Sequence, residues 1–185
     1  MTTIYKTGFF LVALIFLLSF GNKHLQKSET NNTLLSAPPK IGEIAPEINL
    51  PSVDRSVNYK LSDLRGKLVL INFWTSMNAP CSYENLNQVN TYNKYKDKNF
   101  ANARGFTIYS VSLDSNLENW KKAIAKDKLS WPYQVCDLKG RASEVVATYG
   151  VTSIPYNYLI DGNGAVLAIN LRGARLSKTI EKYLK

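Results

Sequence analysis

Two strand-like runs, the continuously apolar Lys67-Leu-Val-Leu-Ile-Asn-Phe-Trp74 and the run Phe106-Thr-Ile-Tyr-Ser-Val-Ser-Leu113, constrain this chain more than any other feature. The first is apolar almost throughout, and the second is rich in β-branched and aromatic residues. Each therefore reads as a central strand covered on both faces, the pattern of a parallel sheet in an α/β protein. About thirty residues separate them, enough for one crossover helix, and the spacing predicts a helix over Ala79 to Lys98. A second amphipathic helix is expected from Asn116 to Asp127, with Asp114 or Ser115 available as its cap. Further on, the sequence predicts a short strand over Tyr133 to Leu138, a helix over Ala142 to Tyr149, and strands Tyr156 to Asp161 and Ala165 to Leu171 around the hairpin signal Gly162-Asn163-Gly164. Leu176 to Leu184 closes the chain as a helix, and no internal repeat is visible.

The first residues belong to a different kind of segment. Lys6 precedes an uncharged apolar run from Gly8 to Phe20, the length of a signal-peptide core and short for a bilayer-spanning helix. We therefore expect export, with residues 1–21 as a signal peptide or an N-terminal membrane anchor. Ser19 and Gly21 have cleavage-site spacing, but Phe20 is bulky and Lys23 and Lys27 follow. No cysteine follows the run, which excludes lipid attachment there. Residues 22–40 are polar, end in Pro38-Pro39 and read as a linker, leaving 41–185 as the single folded domain. The formal net charge is +9, and the first 21 residues contribute one Lys and no acid to it. Such a balance suits an anionic membrane surface or wall polymer. Lys94, Lys96, Lys98, Lys121, Lys122, Lys126 and Lys128 nevertheless fall on solvated helix faces, and no nucleic-acid motif is present.

In this order and spacing, Ile41-Gly42 with Ala45-Pro46, Leu61-Ser-Asp-Leu-Arg-Gly-Lys67, Asn72-Phe-Trp74, Pro80-Cys81 with Glu84-Asn85, Tyr149-Gly-Val151, Ile154-Pro155, and Leu159-Ile-Asp161 with Gly164 carry a resemblance. The chain resembles the thioredoxin-like superfamily, in its exported TlpA/ResA-like branch of the redoxin (AhpC/TSA) type. The resemblance implies an α/β fold with a central mixed sheet flanked by helices, an N-terminal hairpin and an extra strand-helix insertion. It implies a thiol-disulfide oxidoreductase of extracytoplasmic protein or peptide clients, a monomeric domain, and no cofactor or metal. It also makes Pro155 a cis-proline facing the start of the first helix, with Trp74, Met77 and Ile154 along the substrate groove.

That family chemistry needs two thiols three residues apart. The outer one, at the helix start, attacks a substrate disulfide, and the inner one then resolves the mixed disulfide. Here Cys81 holds the inner place and Asn78 stands where the attacker belongs. Asn cannot attack sulfur, but it caps helices well, so the substitution keeps the fold and removes the nucleophile. Cys136, the other cysteine, is expected on an edge strand two places from the strand leading to Cys81, too far for a direct bond, although two cysteines in an exported chain invite pairing.

Other chemistry is sparse. The only histidine, His24, lies in the linker, so no Cys-His pair or histidine-containing metal site is expected in the domain. Asn72 takes the place of the buried acid that in many thioredoxins assists the inner thiol. Glu84, one turn beyond Cys81, is a weak candidate proton acceptor that is expected to face solvent. A peroxiredoxin-like reading of Asn78-x-x-Cys81 conflicts with Trp74, which stands where that family has Pro, and no arginine is expected near Tyr156-Asn157. Two readings stay open: an oxidoreductase-type protein whose activity is weak, monothiol or partner-dependent, and a non-redox binding module that holds an extended peptide beside Pro155.

Overall fold

The computed structural model describes residues 1–2 and 37–185. The apolar N-terminal run, its cleavage site, His24 and most of the linker lie outside the described residues. Pro39 is buried and Pro38 lies where a Cβ on Gly150 would sit, so packing extends upstream of Ile41. Gly150 has φ +59°, a conformation that glycine adopts without cost.

The elements are β1 (Asn49–Pro51), β2 (Asn58–Lys60), β3 (Leu68–Trp74), α1 (Ala79–Tyr95), β4 (Phe106–Ser112), α2 (Leu117–Lys126), β5 (Gln134–Val135), α3 (Glu144–Thr148), β6 (Tyr156–Ile160), β7 (Val166–Ile169) and α4 (Ala174–Glu181), with 3-10 turns at Leu61–Leu64 and Gly140–Ala142. The five-stranded sheet runs β5-β4-β3-β6-β7. β3, β4 and β5 are parallel, while β6 pairs antiparallel with β3 on one side and with β7 on the other, giving a mixed α/β sheet. β3 and β4 are buried along their whole length.

Side chains alternate between two cores. Leu68, Leu70 and Trp74 of β3 point into one that holds Cys81 and Tyr95 of α1, Trp120 of α2, and Leu176 and Ile180 of α4. Val69, Ile71 and Phe73 point into the other, with Val145 of α3 and Ile48, Leu61 and Leu64 from the N-terminal segment. The hairpin β1–β2 guards one edge of the sheet through the Ser52↔Val135 bridge, and Ile44 bridges Ala165 at the other. Exposed strand edges invite pairing with other chains, and this segment covers both.

Several boundaries differ from expectation, each for a local reason. α1 stops at Tyr95 because the carbonyls of Lys96 and Lys98 accept from Phe106 and Gly105 in the turn into β4. β5 shrinks to two residues because the Cys136 amide leaves the ladder to bond Pro51 O at 3.1 Å. The Ala142 to Tyr149 helix is broken by Ser143 in an extended conformation, so α3 begins only at Glu144. α2 is capped by Asn116, whose side chain accepts from Asn119 N at 2.9 Å, and not by Asp114 or Ser115. Asp114 is occupied elsewhere. α4 starts two residues earlier than expected, directly after Gly173.

Candidate functional site

β3 delivers the chain to a turn, Thr75 to Met77, that one buried carboxylate organises. Asp114, at the end of the adjacent β4, accepts from Thr75 Oγ1 (2.8 Å), Ser76 N (3.0 Å), Ser76 Oγ (2.6 Å) and Ser112 Oγ (2.6 Å). The turn sets Asn78 in an extended conformation at the N-cap of α1, where its Oδ1 accepts from Cys81 N at 3.0 Å. Pro80 occupies the first helical turn, where a missing amide costs nothing. Asn78 thus satisfies one of the helix's free amide donors from the place where the attacking thiol would stand.

Cys81 begins the inner face of α1 and is fully buried. Burial pushes its thiol up to about 11, against smaller opposing effects from the Thr75 backbone and the Arg172 charge. A thiol with that pKa is almost wholly protonated at neutral pH, with a thiolate fraction of order 10⁻⁴. Cys136 is also buried, donates to Asp114 O at 3.4 Å, accepts from Leu138 N at 3.3 Å, and is likewise raised by burial. The two thiols are free and unpaired with one another.

Across the site, the Ile154–Pro155 bond is cis. Arg172, between β7 and α4, donates to Pro155 O and to Leu171 O (2.9 Å), and its charge acts on both Cys81 and Glu84. Gly173 N donates to the Glu84 carboxylate at 3.1 and 3.3 Å. Arg172 and Glu84 therefore join the start of α4, the Pro155 segment and the second turn of α1 into one assembly.

This arrangement corrects three expectations. Glu84 does not face solvent: it is buried and bound to the α4 start, because α1 turns Cys81, Glu84, Asn85 and Gln88 inward together. Trp74 does not line the groove, because strand alternation sends it with Leu68 and Leu70 into the core, fully buried. An arginine does serve the Pro155-Tyr156-Asn157 region. Arg172 arrives there from β7, the hairpin partner of β6, with Asn170 N and Leu171 N bonded to Asn157. Nothing local in the sequence marks it; the usable signal is Arg-Gly placed between a returning strand and a helix.

The remaining candidates are distributed plainly. Met77 is exposed and Ile154 half-buried, touching both cores. Asn72 is buried on the α1 side of β3, where its Oδ1 accepts from Gln88 Nε2 at 2.9 Å. Among the described residues, no group of three or more His, Cys, Asp or Glu could hold a metal ion.

The chain's relatives share this frame. The AhpC/TSA family model matches residues 41–169. The thiol-disulfide oxidoreductase ResA of Oceanobacillus iheyensis is 30% identical over 148 residues, covering 78% of this chain and 71% of that protein. ResA of Bacillus thuringiensis subsp. konkukian is 29% identical over 146 residues, covering 79% and 78%. The thioredoxin domain of a thiol-disulfide oxidoreductase from Bacteroides vulgatus superposes with a TM-score of 0.70 at 37% identity, covering 79% of this chain and 99% of that one. A thiol:disulfide interchange protein from Bacteroides sp. gives 0.69 at 37% identity, covering 79% and 91%. With the family model matching residues 41–169 and ResA relatives covering most of the chain, the chain belongs to the AhpC/TSA family, as a ResA-like member of its thiol-disulfide oxidoreductases with a thioredoxin-like fold.

Proposed function

We propose that this protein binds polypeptide clients in the groove of a thiol-disulfide oxidoreductase without turning over disulfides on its own. One observation carries the reading. The side chain at the attacking position is an amide engaged in capping α1, and the only thiol of the motif is fully buried and protonated. An extended client would lie beside Ile154 and Pro155 and be held by strand-like main-chain hydrogen bonds, which need no sulfur. Insulin tests this directly. With dithiothreitol as electron donor, the wild-type protein should reduce insulin no faster than dithiothreitol alone. It should still bind a carboxymethylated, thiol-free unfolded polypeptide, with amide signals of Met77, Asn78 and Ile154 shifting. Turnover above the reagent background would contradict the proposal.

Arg172 favours a second reading. Its positive charge acts on Cys81 and opposes the effect of burial, the arrangement expected if a partner protein supplies the missing thiol and Cys81 resolves the resulting mixed disulfide. The peroxidase reading is weaker, because a peroxide is attacked by a thiolate already formed in the resting protein, and Cys81 is protonated at neutral pH with Trp74 in place of that family's Pro.

We also propose that the domain works outside the cytoplasm. The support is the apolar run after Lys6 and the polar linker that follows it. Among the described residues, no helix is long and apolar enough to cross a membrane. A reporter fused after Lys40 that is active only in an extracytoplasmic compartment is the expected result; activity confined to the cytoplasm would refute export.

A further inference from the structure

The outer face of α1's first turns carries large exposed apolar side chains with no partner among the described residues, and exposed cations flank it without exposed, unpaired carboxylates to match. Met77, Tyr83 and Leu86 are 78%, 68% and 57% exposed, and Pro80 beside them is exposed as well. Tyr83 and Leu86 lie three residues apart and share one side of the helix. Scattered single apolar residues on a surface need no explanation, but large ones gathered on one helix face mark a place of contact.

The exposed, unpaired charge around this face has one sign, since Glu84, Asp114 and Asp127 are buried and Glu118 is paired with Lys121. A cavity of about 270 Å³ beside Met77 is lined by Lys122 and Lys126 of α2. On the opposite flank, exposed Arg175 stands at the start of α4, next to the Gly173 amide that reaches Glu84. The first turn of α1 contains no acid, so the positive end of the helix adds to the field. The nearby carboxylates are already engaged. Glu84 is bound to Gly173, Asp127 to Asn85 at 2.8 Å, Asp114 to the Thr75–Ser76 turn, and Glu118 pairs with Lys121.

We infer that this face docks an acidic polypeptide segment carrying large apolar anchors, part of the client itself. The inference rests on the binding reading above and specifies the chemistry of what is bound. Apolar side chains would cover Met77, Tyr83 and Leu86, while flanking carboxylates meet Lys122 and Lys126.

The test uses the full chain and three labelled peptides read by fluorescence anisotropy. The first alternates Glu with Leu and Phe, the second replaces Glu by Lys, and the third replaces Leu and Phe by Ser. Wild type should bind the first at least about tenfold tighter than either other. Tyr83→Ser with Leu86→Ser, both at exposed positions, should weaken it by about tenfold, as expected for lost interface anchors. Lys122→Glu with Lys126→Glu should reverse the preference toward the Lys peptide. Equal binding of all three peptides, or no effect of either double variant, would overturn the inference. So would a concentration-dependent dimer abolished by Leu86→Ser, which would assign the face to a second copy, or binding to phosphatidylglycerol vesicles but to none of the peptides. Insulin reduction by the same preparation would refute the binding reading alone and leave the peptide result standing.

Discussion

Asn78→Cys should reduce disulfides, whereas the wild type should not. The N-cap and Cys81 are three residues apart on the first turn of α1, and the Asn78 side chain already reaches the Cys81 amide. The new thiol would sit at the helix N-terminus, which favours its thiolate, with the Arg172 charge close by. It would attack a substrate disulfide, form a mixed disulfide and release one substrate thiolate. Cys81 would then attack the mixed disulfide, release the second substrate thiol and close an intramolecular bond that dithiothreitol reopens. Losing the Asn cap costs about 0.5–2 kcal/mol, which a domain of this size tolerates. The measurement is insulin reduction by the variant and the wild type side by side. Activity in the variant alone is expected. Equal activity in both would mean that Cys81 already works with Cys136 or an external thiol. A folded variant that forms the bond and stays inactive would mean that the groove itself has changed.

The second large effect is on stability. Asp114→Ala should cost about 3 kcal/mol or more, because it strands several donors around the turn that carries Asn78. The Ser76 amide has no other partner, and the hydroxyls of Thr75, Ser76 and Ser112 lose a charged acceptor. The Cys136 thiol keeps its hydrogen bond, since it bonds the Asp114 backbone carbonyl, which Ala retains. Urea unfolding reads the loss as a lower midpoint with the slope unchanged. A drop below about 1 kcal/mol would show that the turn does not depend on this carboxylate.

How much of this was legible beforehand follows the range of each signal. β3 announces itself because burial on both faces writes a nearly unbroken apolar run, β4 because its residues are mostly β-branched or aromatic, and Gly162-Asn163-Gly164 marks the β6–β7 hairpin because few sequences make so tight a turn. α1 was placed by its position between two strands and by Pro80, not by amphipathicity. Its buried face is Cys81, Glu84, Asn85, Gln88, Thr91 and Tyr95, mostly polar residues that a hydrophobic pattern cannot reveal. Counting turns from Cys81 would have turned Glu84 inward, and counting along β3 would have buried Trp74. Arg172 was out of reach, because its part depends on β7 pairing with β6 and so returning ninety residues later to the same corner. β5 was overextended because its end is set by a bond to Pro51, far away in the chain.

The central claim is that the motif's single thiol is sealed and neutral, and its pH-dependent alkylation tests that most directly. The full-length protein would be treated with iodoacetamide across a pH series, and labelling of Cys81 followed by peptide mass spectrometry, which separates it from Cys136. At neutral pH, labelling should be far slower than in the urea-unfolded chain, and the rate should still be rising with pH beyond 9, since the folded thiol ionises only near about 11. Rapid labelling at pH 7 with an inflection below about pH 8 would describe a reactive thiolate and contradict the account.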